Sequence, residues 1–144
     1  LPPEAEQASL EAPLKKIHWR KTKPNSDMSS VFISLQNGRS YLSMGDADGD
    51  AELRAAQWAV SRMQKHSFSS ELILKVSHHG SRFSTESKIL ELLHPQEAWI
   101  SSGVGNLYGH PTQAVLDRLV NAGIPVRRTD DLGVIQLKSS GLKH

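Results

Sequence analysis

A layered α/β domain is what this sequence predicts, on three observations. Short apolar runs of strand length alternate with stretches of helical period, an Asn-Gly pair joins two of the runs, and polar loops follow the strands that lead into helices. Val31 to Leu35 and Ser40 to Met44 are β-branched or aromatic runs separated by Gln36-Asn37-Gly38-Arg39, which predicts an antiparallel hairpin. Gly45-Asp46-Ala47-Asp48-Gly49-Asp50 breaks that pattern. Ala51 to His66 then places Leu53, Ala56, Trp58, Val60 and Met63 near helical spacing, with Asp50 as the expected N-cap. Leu72 to Val76 is an apolar run of strand length, followed by His78-His79-Gly80-Ser81 and a helix carrying Ile89, Leu90, Leu92 and Leu93. The pattern repeats in a strand over Glu97 to Ser102, a glycine-bearing loop, and a helix over Thr112 to Ala122 that opens after Pro111. Ile124 to Arg128, a turn over Asp130 to Gly133 and Val134 to Leu137 complete the expected elements.

The chain has 144 residues, enough for one domain with a substantial core. Its 38% hydrophobic and 22% charged residues are those of an ordinary globular protein, and no apolar run approaches a membrane span. No membrane contact is expected from this segment itself. Seventeen basic residues against 15 acidic give a formal charge of +2, which allows an anionic partner without requiring one. With no cysteine, thiolate ligands, cysteine nucleophiles and disulfides are excluded, so any metal must be held by His and carboxylate. The chain opens on LPPEAEQASLEAP with neither an initiator Met nor an apolar signal core and reads as a piece of a longer protein. Residues 1–24 are expected to be a mobile leader followed by a basic stretch around Trp19, read first as a solvated edge and second as a nucleic-acid contact. Residues 25–144 form the expected domain.

Three polar loops concentrate the groups able to bind metal or move protons: Asp46 with Asp48, His78 with His79, and Tyr108 with His110. Each follows an expected strand, so all three could open on one edge of a sheet, where such folds place their ligands. Imidazole and carboxylate together suit zinc or manganese. Each loop also has a plain reading: Asp46 as a turn residue, Asp48 and Asp50 as acids at a helix start, and His110 as a residue shaping a helix entrance. A Ser-His-Asp triad through Ser81 is disfavoured, because no G-x-S-x-G elbow is present; Ser81 instead suggests a cap of the next helix or a phosphate contact.

Taken in order, Asn25 and Ser29, Tyr41-Leu42-Ser43-Met44-Gly45-Asp46, Leu74-Lys75-Val76-Ser77-His78-His79-Gly80-Ser81, Ser101-Ser102-Gly103, Asn106, Tyr108-Gly109-His110-Pro111, and Arg128-Thr129-Asp130 with Gly133 form a series. It resembles the C-terminal half of a metallo-β-lactamase domain of the ComEC type, found attached to competence DNA-uptake channels and among free-standing hydrolases. The likeness runs from about Asn25 to Leu137. It implies an αβ/βα sandwich, of which this is the C-terminal half, and a site for two divalent metals, zinc or manganese. By this resemblance Asp46 is the bridging carboxylate and His78 the favoured histidine ligand. His79 is then the lesser ligand or a supporting partner, and His110 a group acting on the attacking or leaving oxygen. Lys75, Ser81, Tyr108 and Arg128 become candidates for phosphate contact. A soluble domain of bacterial type is implied, attached to a membrane protein in some settings.

The family's other metal motif, a His-x-His/Asp-x-Asp-His run, is absent from this sequence. The resemblance therefore requires the remaining ligands from an N-terminal half of the domain or from a second chain, or else a copy that has lost catalysis. The expected function is a phosphodiesterase or nuclease acting on DNA or a related phosphodiester. Two other classes stay open: a binding module for nucleic acid or protein on the same fold, and a lactone or thioester hydrolase. A half-sandwich is further expected to expose a large apolar patch or to associate.

Overall fold

The computed structural model describes residues 6–11, 15–20, 30–102 and 109–129. They form seven strands and three helices: β1 (Glu6–Ser9), β2 (Lys15–Arg20), β3 (Ser30–Gln36), β4 (Arg39–Ser43), α1 (Gly49–Lys65), β5 (Leu72–Lys75), α2 (Ser87–Leu93), β6 (Glu97–Ile100), α3 (Gln113–Asn121) and β7 (Val126–Arg128). A short 3-10 turn, Ser77–Gly80, lies between β5 and α2. The strands make one sheet in sequence order. The first four are antiparallel and the last four parallel, with β4 belonging to both sets.

The hairpin forms where the Asn-Gly pair places it. Asn37 and Gly38 both have positive φ, 54° and 79°, as a tight turn matched to the strand twist requires, and Gln36 pairs with Arg39. Parallel strands need a crossover, which is why each of β4, β5 and β6 is followed by a helix before its neighbour returns. Helix α1 begins two residues earlier than the apolar period suggests. Its N-cap is Asp48 rather than Asp50, and Asp50 and Glu52 fall in the first turn, where the helix dipole favours acids. Strand β6 ends at Ile100, because the Ser102 amide turns to the Thr129 hydroxyl at 2.9 Å.

One face of the sheet carries the core. Register places Ile17, Ile33, Leu42, Leu74 and Ala98 in one row across β2 to β6, all fully buried. They share a single apolar cluster with Ala55 and Ala59 of α1, Leu90 of α2, and Val115 and Leu119 of α3. Burying these side chains stabilises the fold by roughly 1.5–3 kcal/mol for each large one. The opposite face alternates with it and bears Lys16, His18, Phe32, Tyr41, Ile73, Lys75, Glu97, Trp99 and Arg127. Here Tyr41 and Trp99 meet edge-on at 6.0 Å, as do His18 and Phe32. Glu97 accepts bonds from Arg39 at 3.3 Å and from the Trp99 indole at 2.8 Å, and pairs with Arg127. This face is amphipathic: its rings are bedded among charges.

The first strands correct another expectation. Residues 6–9 and 15–20, read as a mobile leader and a solvated edge, are paired strands of the same sheet. Ile17 and Trp19 alternate with polar neighbours and bury their side chains against Ile33 and Val31, whose own side chains are fully buried. The turn expected at Asp130 to Gly133 and the run Val134 to Leu137 lie outside the described residues, as do Asn25, Ser29 and Asn106. No helix among the described residues is long and apolar enough to cross a membrane.

Candidate functional site

The three polar loops leave the carboxyl ends of three adjacent parallel strands, β4, β5 and β6, and backbone bonds tie them together. The His78 amide donates to Gly45 O at 3.0 Å, joining the second loop to the first. The Thr112 amide and hydroxyl donate to Gly80 O at 2.9 and 3.1 Å, joining the second loop to the third. Gly80 has φ +85°, and a Cβ there would lie 2.6 Å from Pro111 Cβ and 2.9 Å from Pro111 Cα. Only glycine permits this approach of the His110 segment to the histidine turn.

Both histidines of the pair occupy the left-handed region, His78 at φ 49° and His79 at φ 53°. Such backbone is uncommon for side-chain-bearing residues and concentrates at functional sites. The two rings diverge. His79 Nδ1 lies 2.7 Å from Ser101 O. A carbonyl only accepts, so a proton sits on Nδ1, and in the neutral ring it is Nε2 that carries the lone pair. That nitrogen faces Asp46 Oδ1 at 4.0 Å. His78 turns its Nδ1 to Asp48 Oδ2 at 3.3 Å and its ring edge to His110, with ring centroids 5.9 Å apart.

Asp46, His78, His79 and His110 are thus brought into one locus. Asp46 and His79 are half or more exposed. Their two donors, one carboxylate oxygen and one imidazole nitrogen supported by a backbone carbonyl, suit a divalent cation, since ligating histidines characteristically donate their second N–H in this way. Among the described residues no group of three or more His, Asp or Glu side chains is arranged to hold a metal by itself. The donors fit part of a coordination sphere.

The other site candidates are dispersed. Lys75 ends β5 on the amphipathic face, and its burial lowers its pKa while the Asp46 carboxylate raises it. Arg128 pairs with Ile100, which belongs to the core cluster, so register puts Arg128 on the sheet face opposite Lys75. Ser81 is buried; its hydroxyl accepts the Phe83 amide at 3.4 Å, and its carbonyl accepts the Ser84 amide and hydroxyl at 2.9 and 2.8 Å. It shapes its own loop and does not cap α2, whose N-cap is Glu86. Tyr108 lies outside the described residues.

Two residues with no site role expected from sequence hold the loop that follows the histidine turn. Arg118 of α3 donates to three carbonyls of the following loop: Arg82 at 2.7 Å, Ser84 at 2.7 Å and Thr85 at 3.1 Å. Glu52 of α1, fully buried, accepts the Thr85 amide at 2.6 Å. Burial pushes the Glu52 carboxyl up to about 7, opposed by the Ser77 hydroxyl and the Thr85 amide and assisted by the negative Asp48 and Glu86. Glu52 stands on the apolar face of α1 at helical spacing from Ala55, Ala56 and Ala59, and that misplaced charge was the available signal. Arg118 carried none, because its acceptors are backbone atoms more than thirty residues away.

Comparison with known proteins finds competence-related relatives. The chain is 47% identical over 66 residues to ComE operon protein 3 of Bacillus subtilis, covering 46% of this chain and 8% of that protein. It is 34% identical over 117 residues to competence protein ComA of Neisseria gonorrhoeae, covering 81% of this chain and 16% of that protein. It is 33% identical over 108 residues to recombination protein 2 of Haemophilus influenzae, covering 75% and 13%. The matched region is thus a small part of each of these relatives. No protein-family model matches the chain.

Proposed function

We propose that this chain is part of a metal-dependent phosphodiesterase of the metallo-β-lactamase fold that acts on DNA or a related phosphodiester in competence. One observation carries the reading. Asp46 Oδ1 and His79 Nε2 face each other at 4.0 Å across the ends of two parallel strands, with His79 held in its ligating tautomer by Ser101 O at 2.7 Å. The competence-related relatives support the setting.

Zinc or manganese, when bound, would supply an activated water and stabilise charge developing on the phosphodiester. The chain's own residues divide the remaining work. Asp46 and His79 are the ligands this half provides, and His79 takes the place that the resemblance gives first to His78. His78, tied to Asp48, presents its ring beside that of His110, so two imidazoles stand next to the ligand pair to take or give a proton. Lys75 adds a cation at the same strand end. Ser81 is a scaffold of the turn, its hydroxyl accepting the Phe83 amide and its carbonyl holding Ser84. The remaining ligands come from an N-terminal half of the domain or a second chain, and the amphipathic sheet face is the surface on which that layer sits.

A second reading starts from the described residues, where no three His, Asp or Glu side chains are grouped to hold a metal: a module that binds nucleic acid without cutting it. Metal content separates the two. After the full-length protein that contains this segment is incubated with manganese or zinc and desalted, elemental mass spectrometry is expected to find metal on the wild type and none on an Asp46→Ala, His79→Ala double variant. Metal-free wild type at saturating metal would overturn the hydrolase reading for this chain and leave the binding one.

A further inference from the structure

We infer that Phe83, with Arg82 laid against its ring, is a stacking platform for an unpaired base of single-stranded nucleic acid, placed beside the histidine turn. The inference rests on the nucleic-acid reading above and adds to it the form of the strand and the residue that grips it.

Phe83 is 56% exposed. Among the described residues the only other exposed large apolar side chains are Leu10, just beyond β1, and Val120 on α3. A protein or membrane contact typically uses a contiguous apolar patch. This ring is instead coupled to a cation, with Arg82 Cζ 4.6 Å from its centroid. An exposed aromatic joined to an arginine offers a π-face to a base and a positive charge to the adjoining phosphate, the two elements of sequence-tolerant single-strand binding.

The loop beneath the ring is unusually well held. All four carbonyls from Arg82 to Thr85 are bonded from outside the loop: that of Phe83 by the Gly49 amide at 3.0 Å, the other three by Arg118. Amides of the loop are occupied too, Ser84 by Ser81 O and Thr85 by Glu52. A ring left in water on a backbone this constrained loses little freedom when a base stacks on it, so most of the stacking energy is kept. The placement is equally specific. Gly49, which pins the Phe83 carbonyl, follows Asp48, which holds His78. A base resting on Phe83 is thereby held on a loop tied to the segment that carries Asp46 and Asp48. Bases inside a duplex are already stacked on both faces, which is why the occupant is a single strand.

Fluorescence anisotropy with dye-labelled oligodeoxythymidylate, and with an abasic strand of the same length, tests this in EDTA so that nothing is cleaved. Phe83→Ala is expected to weaken binding of the oligothymidylate about ten-fold and to leave the abasic strand unchanged. Phe83→Trp is expected to retain binding and to have its added indole emission quenched by the strand. Equal affinity of Phe83→Ala and wild type for oligothymidylate would overturn the platform alone, as would equal losses on both strands. If the wild type binds neither strand, the nucleic-acid reading falls and the platform with it.

Discussion

His79 donates its Nδ1 proton to the carbonyl of Ser101 at 2.7 Å, and this single bond, made between the ends of two neighbouring parallel strands, decides which nitrogen of which histidine faces Asp46. The adjacent His78, one residue earlier and also left-handed, is turned away to Asp48. An adjacent pair directs its rings apart, and the pairing partners assign the roles.

The first expected outcome separates the two histidines. His79→Ala is expected to lower manganese or zinc affinity at least ten-fold, as Asp46→Asn is, while His78→Ala has a smaller effect. Isothermal titration with each metal measures the order. A larger loss at His78 would reverse the assignment.

Gly80 is expected to tolerate no side chain. An alanine there takes on a left-handed backbone, costing about 1–2 kcal/mol, and a 2.6 Å contact with Pro111 that backbone must yield to relieve. The melting temperature of Gly80→Ala is expected to fall by roughly 6 °C or more by calorimetry. Because Gly80 O is also the acceptor for Thr112, the NMR signals of His110 are expected to move with those of the turn.

Glu52 is expected to make stability depend on pH in an unusual direction. Its carboxyl is raised from 4.5 to about 7 in the folded chain, so the native state holds a proton there that the unfolded state has released. Its contribution is greatest below about pH 4.5 and is lost as pH rises to about 7, a change on the order of 3 kcal/mol. Glu52→Gln keeps an acceptor for the Thr85 amide without the charge. The difference between variant and wild-type unfolding free energies is expected to grow in favour of the variant across that window. A difference that stays flat with pH would show that Glu52 does not titrate there.

Arg118 is expected to matter more than a half-buried surface arginine ordinarily does. Arg118→Ala removes three charge-assisted bonds to loop carbonyls, with an expected loss of about 2–3 kcal/mol in urea unfolding. Arg118→Lys is expected to recover only part, since an ammonium lacks the fork that spans Arg82, Ser84 and Thr85. Hydrogen exchange at the Ser84 and Thr85 amides, faster in the alanine variant, locates the effect in this loop.

Much of the architecture was legible because local rules determine it. Asn37-Gly38 dictated a hairpin, the spacing of Leu53, Ala56, Val60 and Met63 a helix, and strands alternating with helices a parallel continuation of the sheet. The strand over Lys15–Arg20 escaped notice although Ile17 and Trp19 alternate with polar residues, because its basic character spoke for solvent and its pairing partner lies in β3. The cap expected at Ser81 is absent for a related reason. Serine's preference for caps is real, but the amide its hydroxyl accepts is that of Phe83, not one of the helix start.

The sequence by itself determined the inventory and its order: which loops carry Asp46, His78, His79 and His110, and that each follows a strand of one α/β sheet. Tertiary structure alone decided how those groups are used. The orientation of His79, the closeness of Gly80 to Pro111, the grip of Arg118 on the Arg82 to Thr85 loop and the proton on Glu52 all depend on atoms that are distant in sequence and adjacent in space. Residue type and periodicity encode what a segment can form with its neighbours. Direction, burial and charge at a site are set by whatever the folded sheet brings alongside.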